Sequence, residues 1–137
     1  MNIERFKQQR RDILTKINEL RVLSRAGTTE NATAIAAGVK ALGQLVTRHL
    51  AIEDRILYPM VQNSADSGLA EMSRRYQEEM GHIATPFIAF TRQYGNAAAV
   101  SNDPEGFRAG ANTVLRRVYE RMQQEDREFY PAIEQRT

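Results

Sequence analysis

Two stretches of this sequence are near copies: residues 48–59 read RHLAIEDRILYP and residues 120–131 read ERMQQEDREFYP. Both carry the core E-D-R-x-x-Y-P, but His49 stands four residues before Glu53 in the first copy, and Arg121 stands four before Glu125 in the second. On a helix, residues four apart sit one turn apart on the same face. An imidazole and a carboxylate so placed offer a nitrogen and an oxygen donor to a divalent cation. The same spacing also serves an ordinary polar pair, and Arg121 with Glu125 reads equally as an i,i+4 salt bridge. The second of the two histidines, His82, has Glu78 one turn before it and reads equally as a histidine bonded to a neighbour on the shoulder of its helix. Tyr58 and Tyr130 precede Pro59 and Pro131, where they can pack at a helix kink or offer hydroxyl donors to the acids.

These residues need helices to hold them, and the apolar residues recur at spacings of three and four in four segments. The first carries Ile3, Phe6, Ile13, Ile17 and Leu20 and ends near Gly27. The second carries Ile35, Val39, Leu42, Val46, Ile56 and Met60 and ends at NSADSG. The third carries Leu69, Met72, Tyr76, Ile83, Phe87 and Phe90, with a kink expected at Pro86. The fourth opens at Asp103 as cap and Pro104 in the first turn, and continues through Phe107, Ala111, Val114, Val118 and Phe129. No stretch alternates with period two. The pattern predicts an all-α, up-down-up-down four-helix bundle in a single domain spanning 1–137.

Extending each stripe through its gaps brings polar residues to the interior. Arg10 fills the gap in the first, His49 and Glu53 in the second, and Arg121 and Glu125 in the fourth. His82 lies beside Ile83 on the third, at about the same distance from the NSADSG turn as His49. A slight rotation of the first helix would instead turn Gln9 or Arg11 inward.

Composition narrows the functions. A chain of 137 residues is long enough for one real core. Its formal charge is +2, and its 19 basic residues are spread along the chain, which argues against nucleic acid. With no cysteine, there is no disulfide, thiolate site or cysteine nucleophile. The charged start MNIERFKQQRR has no apolar run behind it, and no stretch is apolar enough to span a membrane. A cytoplasmic protein without a membrane partner is the expectation.

With these residues in view, His49-x-x-x-Glu53 before DRILYP, the lone His82, and Glu125 before DREFYP, the whole chain resembles the hemerythrin or HHE cation-binding domain family. The resemblance implies a four-helix bundle holding two non-haem irons between histidines and two bridging carboxylates. It implies that the near repeat is the family's internal pseudo-symmetry. Carried over by position, it makes His49 and His82 histidine ligands, Glu53 and Glu125 the bridging acids, and Glu78 a further candidate ligand. Histidines are also implied where this chain has Arg10 and Arg121, and arginine offers a metal no lone pair.

Charge decides what such a site can hold. Two ionised glutamates and two arginines cancel, so two divalent ions would leave about +4 in a low-dielectric interior, whereas one ion assisted by Glu78 leaves about +1. A full di-iron centre is therefore disfavoured, and guanidinium groups paired with Glu53 and Glu125 are expected in its place. The leading expectation is a hemerythrin-like regulatory or sensory module with a degenerate site, acting through a protein partner or as a homodimer. The alternative is a protein holding one non-haem iron or zinc at His49, Glu53, His82 and Glu125, for iron handling or for oxygen or nitric oxide sensing. An enzyme is the weakest reading, since no nucleophile stands beside a base and no catalytic residue can be named.

Overall fold

A computed structural model describes residues 3–136, and among the described residues it contains helices and no strand. The first rod is α1 (Glu4–Gly27). The second is α2 (Ala32–Ile52), continued through a π-helical turn (Glu53–Leu57) into α3 (Tyr58–Gln62). The third is α4 (Ser67–Tyr94). A short helix, α5 (Ala97–Asn102), precedes the fourth rod, which runs from α6 (Pro104–Gly110) through a π turn (Ala111–Leu115), α7 (Arg116–Gln124) and a π turn (Glu125–Phe129) to α8 (Tyr130–Arg136). The chain is an all-α helical bundle, as the spacing predicts.

Local chemistry sets the boundaries. At the end of α1, Gly27 has φ 143°, a conformation open to glycine, and Asn31 Nδ2 donates to the Gly27 carbonyl at 2.9 Å. Asp66 caps α4 by accepting from the Leu69 amide at 2.9 Å, and Asp103 caps α6 by accepting from the Gly106 amide at 3.0 Å, with Pro104 in the first turn. α4 remains helical on both sides of Pro86. The apolar spacing gives no sign of helix α5; its Asn96 cap accepts from the Ala98 and Ala99 amides, and Val100 anchors it in the core.

The π turns shift the phase of the buried face. Pro59 and Pro131 have no N–H and carry rings that crowd the carbonyl four residues before them. In each repeat the helix widens just ahead of the proline: the Tyr58 amide bonds to the Glu53 carbonyl, and the Tyr130 amide to the Glu125 carbonyl. An uninterrupted α-helical stripe would bury Ile56 and Met60. With the wider turn these are 44% and 46% exposed, and Leu57, Tyr58 and Val61 enter the core instead. The third π turn has the same consequence, burying Leu115 where the stripe gave Val114.

Two apolar clusters form the core. One joins Ile13, Ile17, Leu20, Val39, Val46, Phe87, Phe107 and Val118; the other joins Phe6, Leu57, Tyr58, Tyr76, Phe129 and Ile133. In α1 the boundary falls between Phe6 and Ile13, in the second rod between Val46 and Leu57, and in the fourth between Met122 and Phe129. Those intervals contain Arg10, then His49 and Glu53, then Glu125, with Arg121 beside Met122, and all five are buried. A polar layer thus divides the core.

The phase shift makes adjacent residues respond oppositely. Leu57→Ala should destabilise the protein by about 2–5 kcal/mol, and Ile56→Ala by less than about 1 kcal/mol, in denaturant titrations. The reverse order would restore the uninterrupted α-helical stripe.

Candidate metal centre

Within the polar layer, one ligand atom from each of His49, Glu53 and Glu125 lies within 4.8 Å of the others. All three side chains are fully buried. The orientation of His49 is fixed from the first rod: its Nδ1 lies 2.9 Å from Gln9 Oε1, an atom that can only accept. Nδ1 therefore carries the proton. Phe6 packs edge-on against the ring at 6.4 Å. Nε2 is turned toward the acids, 3.2 Å from Glu53 Oε1 and 3.7 Å from Glu125 Oε1. A carbonyl holding one ring nitrogen so that the other faces a cation is the usual arrangement of a ligating histidine.

The π turns aim the acids and the tyrosines together. Glu53 and Glu125 each open a π turn, and the tyrosine that follows each turn also points inward. The Tyr130 hydroxyl lies 3.3 Å from Glu53 Oε2 and 3.4 Å from Glu125 Oε1 and donates to this pair. Tyr58 plays the other part, its hydroxyl oxygen accepting from Arg121 Nη2 at 3.3 Å. Burial, followed by the nearby glutamates, pushes both phenols up, so they stay neutral.

Arg121 is only 1% exposed. Its Nη2 donates to the Tyr76 carbonyl at 2.6 Å, its Nε lies 3.5 Å from Glu125 Oε2, and its Nη1 lies 3.6 Å from Glu79 Oε2. The guanidinium also lies over the Tyr76 ring, 4.3 Å from its centroid. Burial opposes its charge, but Glu125, Tyr58 and Glu53 more than offset that and hold its pKa above the ordinary value.

The two acids are driven apart. Burial, and then the facing charge of Glu125, holds Glu53 well above the usual carboxylate range. Burial pushes Glu125 up as well, but the His49 contact and the Arg121 charge outweigh it and leave Glu125 below its ordinary value. The two acids of the pair therefore differ in proton affinity, Glu53 the higher and Glu125 the lower.

Several expected residues lie elsewhere. His82 and Glu78 occupy exposed positions on α4 and do not join His49, Glu53 and Glu125. The reason is helical phase: the inward line of α4 runs through Tyr76, Met80 and Phe87, and Glu78 and His82 each fall two residues from Met80. Arg10 does not reach Glu53 or Glu125. Its Nη2 pairs with Asp126 Oδ1 at 3.2 Å, toward the surface, its long stem carrying the charge out of the layer. The expected two-fold pairing of guanidinium and acid is therefore reduced to the Arg121–Glu125 contact. Gln9 takes the inward position from α1, while the parts played by Glu79 and the Tyr76 carbonyl left no mark in the spacing.

A family model described as the hemerythrin HHE cation binding domain matches residues 1–133. The chain belongs to that family. No curated protein and no solved structure was found to match it. Hemerythrin-type domains bind metal ions, and the residues here fit a cation on structural grounds. His49 Nε2 and Glu53 Oε1 are buried without a hydrogen-bond partner and lie 3.2 Å apart, with Glu125 Oε1 3.7 Å from Nε2. Such groups are costly to bury unsatisfied, and one divalent cation would satisfy all three residues.

Two outcomes follow for the protein in chelator. Arg121→Ala should cost about 3–5 kcal/mol, since Glu125 loses its charged partner inside the bundle. Arg10→Ala, whose partner Asp126 is half exposed, should cost about 1 kcal/mol. The raised Glu53 also makes stability pH-dependent. Its contribution is fully present below the unfolded carboxylate pKa of about 4.3 and is lost as pH rises toward its higher folded value. Glu53→Gln should therefore be more stable than the parent at pH 7, with the gain vanishing near pH 4. Denaturant titrations across that range would show it, and a loss of stability at every pH would mean that Glu53 is ionised in the fold.

Proposed function

We propose that this hemerythrin-family chain is a regulatory or sensory module that holds one divalent cation, a non-haem iron or zinc, through His49, Glu53 and Glu125. The observation that carries the reading is the convergence of a histidine nitrogen and two carboxylates, all fully buried and within 4.8 Å of one another between two apolar clusters, with His49 Nε2 and Glu53 Oε1 lacking hydrogen-bond partners. Gln9 supports it by fixing the imidazole tautomer.

Arg121 sets the stoichiometry. It stands where the family resemblance implies a further histidine, and it supplies a permanent positive charge beside Glu125. With both acids ionised, the group of His49, Glu53, Glu125 and Arg121 carries −1. One divalent ion takes it to +1 and a second to +3, where repulsion over a few ångströms reaches several kcal/mol even at an effective dielectric of ~20. The loss of one imidazole also removes the symmetric ligand set that a pair of irons would need.

A bound cation would act as a Lewis acid and bind small ligands such as oxygen or nitric oxide when its open positions allow. The protein's own part is to exclude bulk water, orient His49, and release the proton held on Glu53 when that acid is needed as a ligand. Cation occupancy then alters the charge of the layer between the two core clusters, so it tunes the packing of all four rods. That coupling suits sensing better than turnover, because no nucleophile–base pair accompanies the site.

Metal analysis and thermal unfolding test the reading. Chelator-treated protein given ferrous iron or zinc should take up about one ion per chain and unfold at a higher temperature. His49→Ala should lose most of this uptake while remaining folded. Arg121→His should raise the capacity above one ion, because it exchanges the opposing charge for a donor. Uptake near two ions by the parent chain would show that Arg121 does not limit the site. No uptake by a folded parent would return the protein to the metal-free regulatory reading.

A further inference from the structure

A cleft of about 650 Å³ opens between α1 and the fourth rod, at the level of α6 and the π turn Ala111–Leu115. It shares no lining residue with the metal centre and lies along the bundle from it: Ile17, the lining residue of α1 nearest that centre, is eight residues from Gln9, about 12 Å along a helix. Its size lies in the range of small-molecule sites.

The lining divides by chemistry. Leu20, Phe107 and Leu115 form a recessed apolar floor, each no more than 5% exposed. Arg21 and Arg25, one turn apart on α1, face Arg108 and Arg116 on the other wall, and no acidic residue is among the lining side chains. Asn112 adds an amide from the π turn. This π turn, unlike the other two, has no proline behind it. Turns of this kind are frequent at functional sites because they re-aim side chains on an otherwise regular helix.

The arginines are unequally committed. Arg108 Nε donates to Thr28 Oγ1 at 3.1 Å, and its Nη1 pairs with Glu105; Arg116 Nε lies 3.7 Å from Glu120 Oε1. Arg21 lies over the Tyr119 ring, 5.5 Å from its centroid, and Arg25 has no ion-pair partner among the described residues. Discounting the two pairs with glutamate, the cleft keeps a charge of about +2 in the form of guanidinium forks, whose geometry matches phosphate oxygens.

We propose that this cleft binds a small organic phosphate, a phosphate monoester dianion whose apolar body rests on Phe107 and Leu115. The charge complement favours a dianionic head, and the recessed floor favours an organic body over a free ion. A membrane surface fits less well, because the apolar groups lie below the arginine rim and do not protrude from it.

Phenyl phosphate titrated into the full chain by calorimetry tests the proposal, with inorganic phosphate as the control for the head group alone. Phenyl phosphate should bind at about one per chain and at least about ten-fold more tightly than inorganic phosphate. The double substitution Arg21→Gln with Arg25→Gln should weaken it about ten-fold or more while leaving thermal unfolding and cation uptake unchanged. Asn112→Trp, which fills the cleft from an exposed position, should weaken phenyl phosphate more than inorganic phosphate. Equal affinity for the two anions would reduce the cleft to an adventitious ion site and overturn the proposal. Binding unaffected by the arginine substitutions, or no binding to any folded form, would also overturn it. So would sedimentation with vesicles of phosphatidylglycerol by a protein that ignores phenyl phosphate, which would make the arginines a membrane-surface patch.

Discussion

The contact between Arg121 and Glu125 is the constraint on which the rest of this bundle depends. A guanidinium 1% exposed and a carboxylate fully buried can share an interior only when each finds its complement there. Arg121 spreads its donors over three rods: the Tyr58 hydroxyl, the Tyr76 carbonyl and its own rod's Glu125. The second, third and fourth rods must therefore meet in one register at this level. The first is tied to the same level by Gln9 on His49 and by Arg10 on Asp126. Apolar faces alone would tolerate sliding by a turn; a layer of directional partners does not.

The sequence made the layer legible but not its wiring. In α1 the stripe from Ile3 to Leu20 could be read directly, because nothing interrupts an α-helical period there. His49 and Glu53 stand before or at the opening of their π turn, and Arg121 and Glu125 continue the buried line of Val118, so the same period placed all four correctly in the interior. Beyond the first turn it failed, and Ile56 and Met60 moved outward, whereas Phe129 stayed buried. The proline after each tyrosine signalled some distortion, though not that it would be a widening rather than a kink. His82 misled because equal distance from a loop fixes its height along the bundle and not its direction around the helix. Arg10 misled for the opposite reason: its position is interior, but a long stem lets the charge leave. The Tyr76 carbonyl, a backbone group, cannot be read from residue types at all.

The two E-D-R-x-x-Y-P strings show how one difference propagates through otherwise matched parts. Both build a π turn, both open it with a buried glutamate, and both close it with a buried tyrosine. His49 against Arg121 breaks the match. Burial raises both acids, but at Glu125 the His49 contact and then the Arg121 charge outweigh it, whereas at Glu53 the facing charge of Glu125 adds to it. Tyr130 consequently serves as donor to the pair of acids, and Tyr58 as acceptor for the guanidinium. Equivalent side chains thus differ in proton affinity and in hydrogen-bond direction although the turns that carry them match.

This asymmetry also leaves the layer compensated on one side and not on the other. Arg121 gives Glu125 a charged partner inside the bundle. It leaves His49 Nε2 and Glu53 Oε1 without partners, and a buried lone pair beside a buried acid remains a source of instability. A symmetric arrangement with two arginines fully engaged would have cancelled the charge and closed the layer to cations; one with two further histidines would have left it open to a metal pair. With Arg10 turned to Asp126, a single interior guanidinium remains, and it stands on the Glu125 side, so no guanidinium touches the facing pair of His49 Nε2 and Glu53 Oε1.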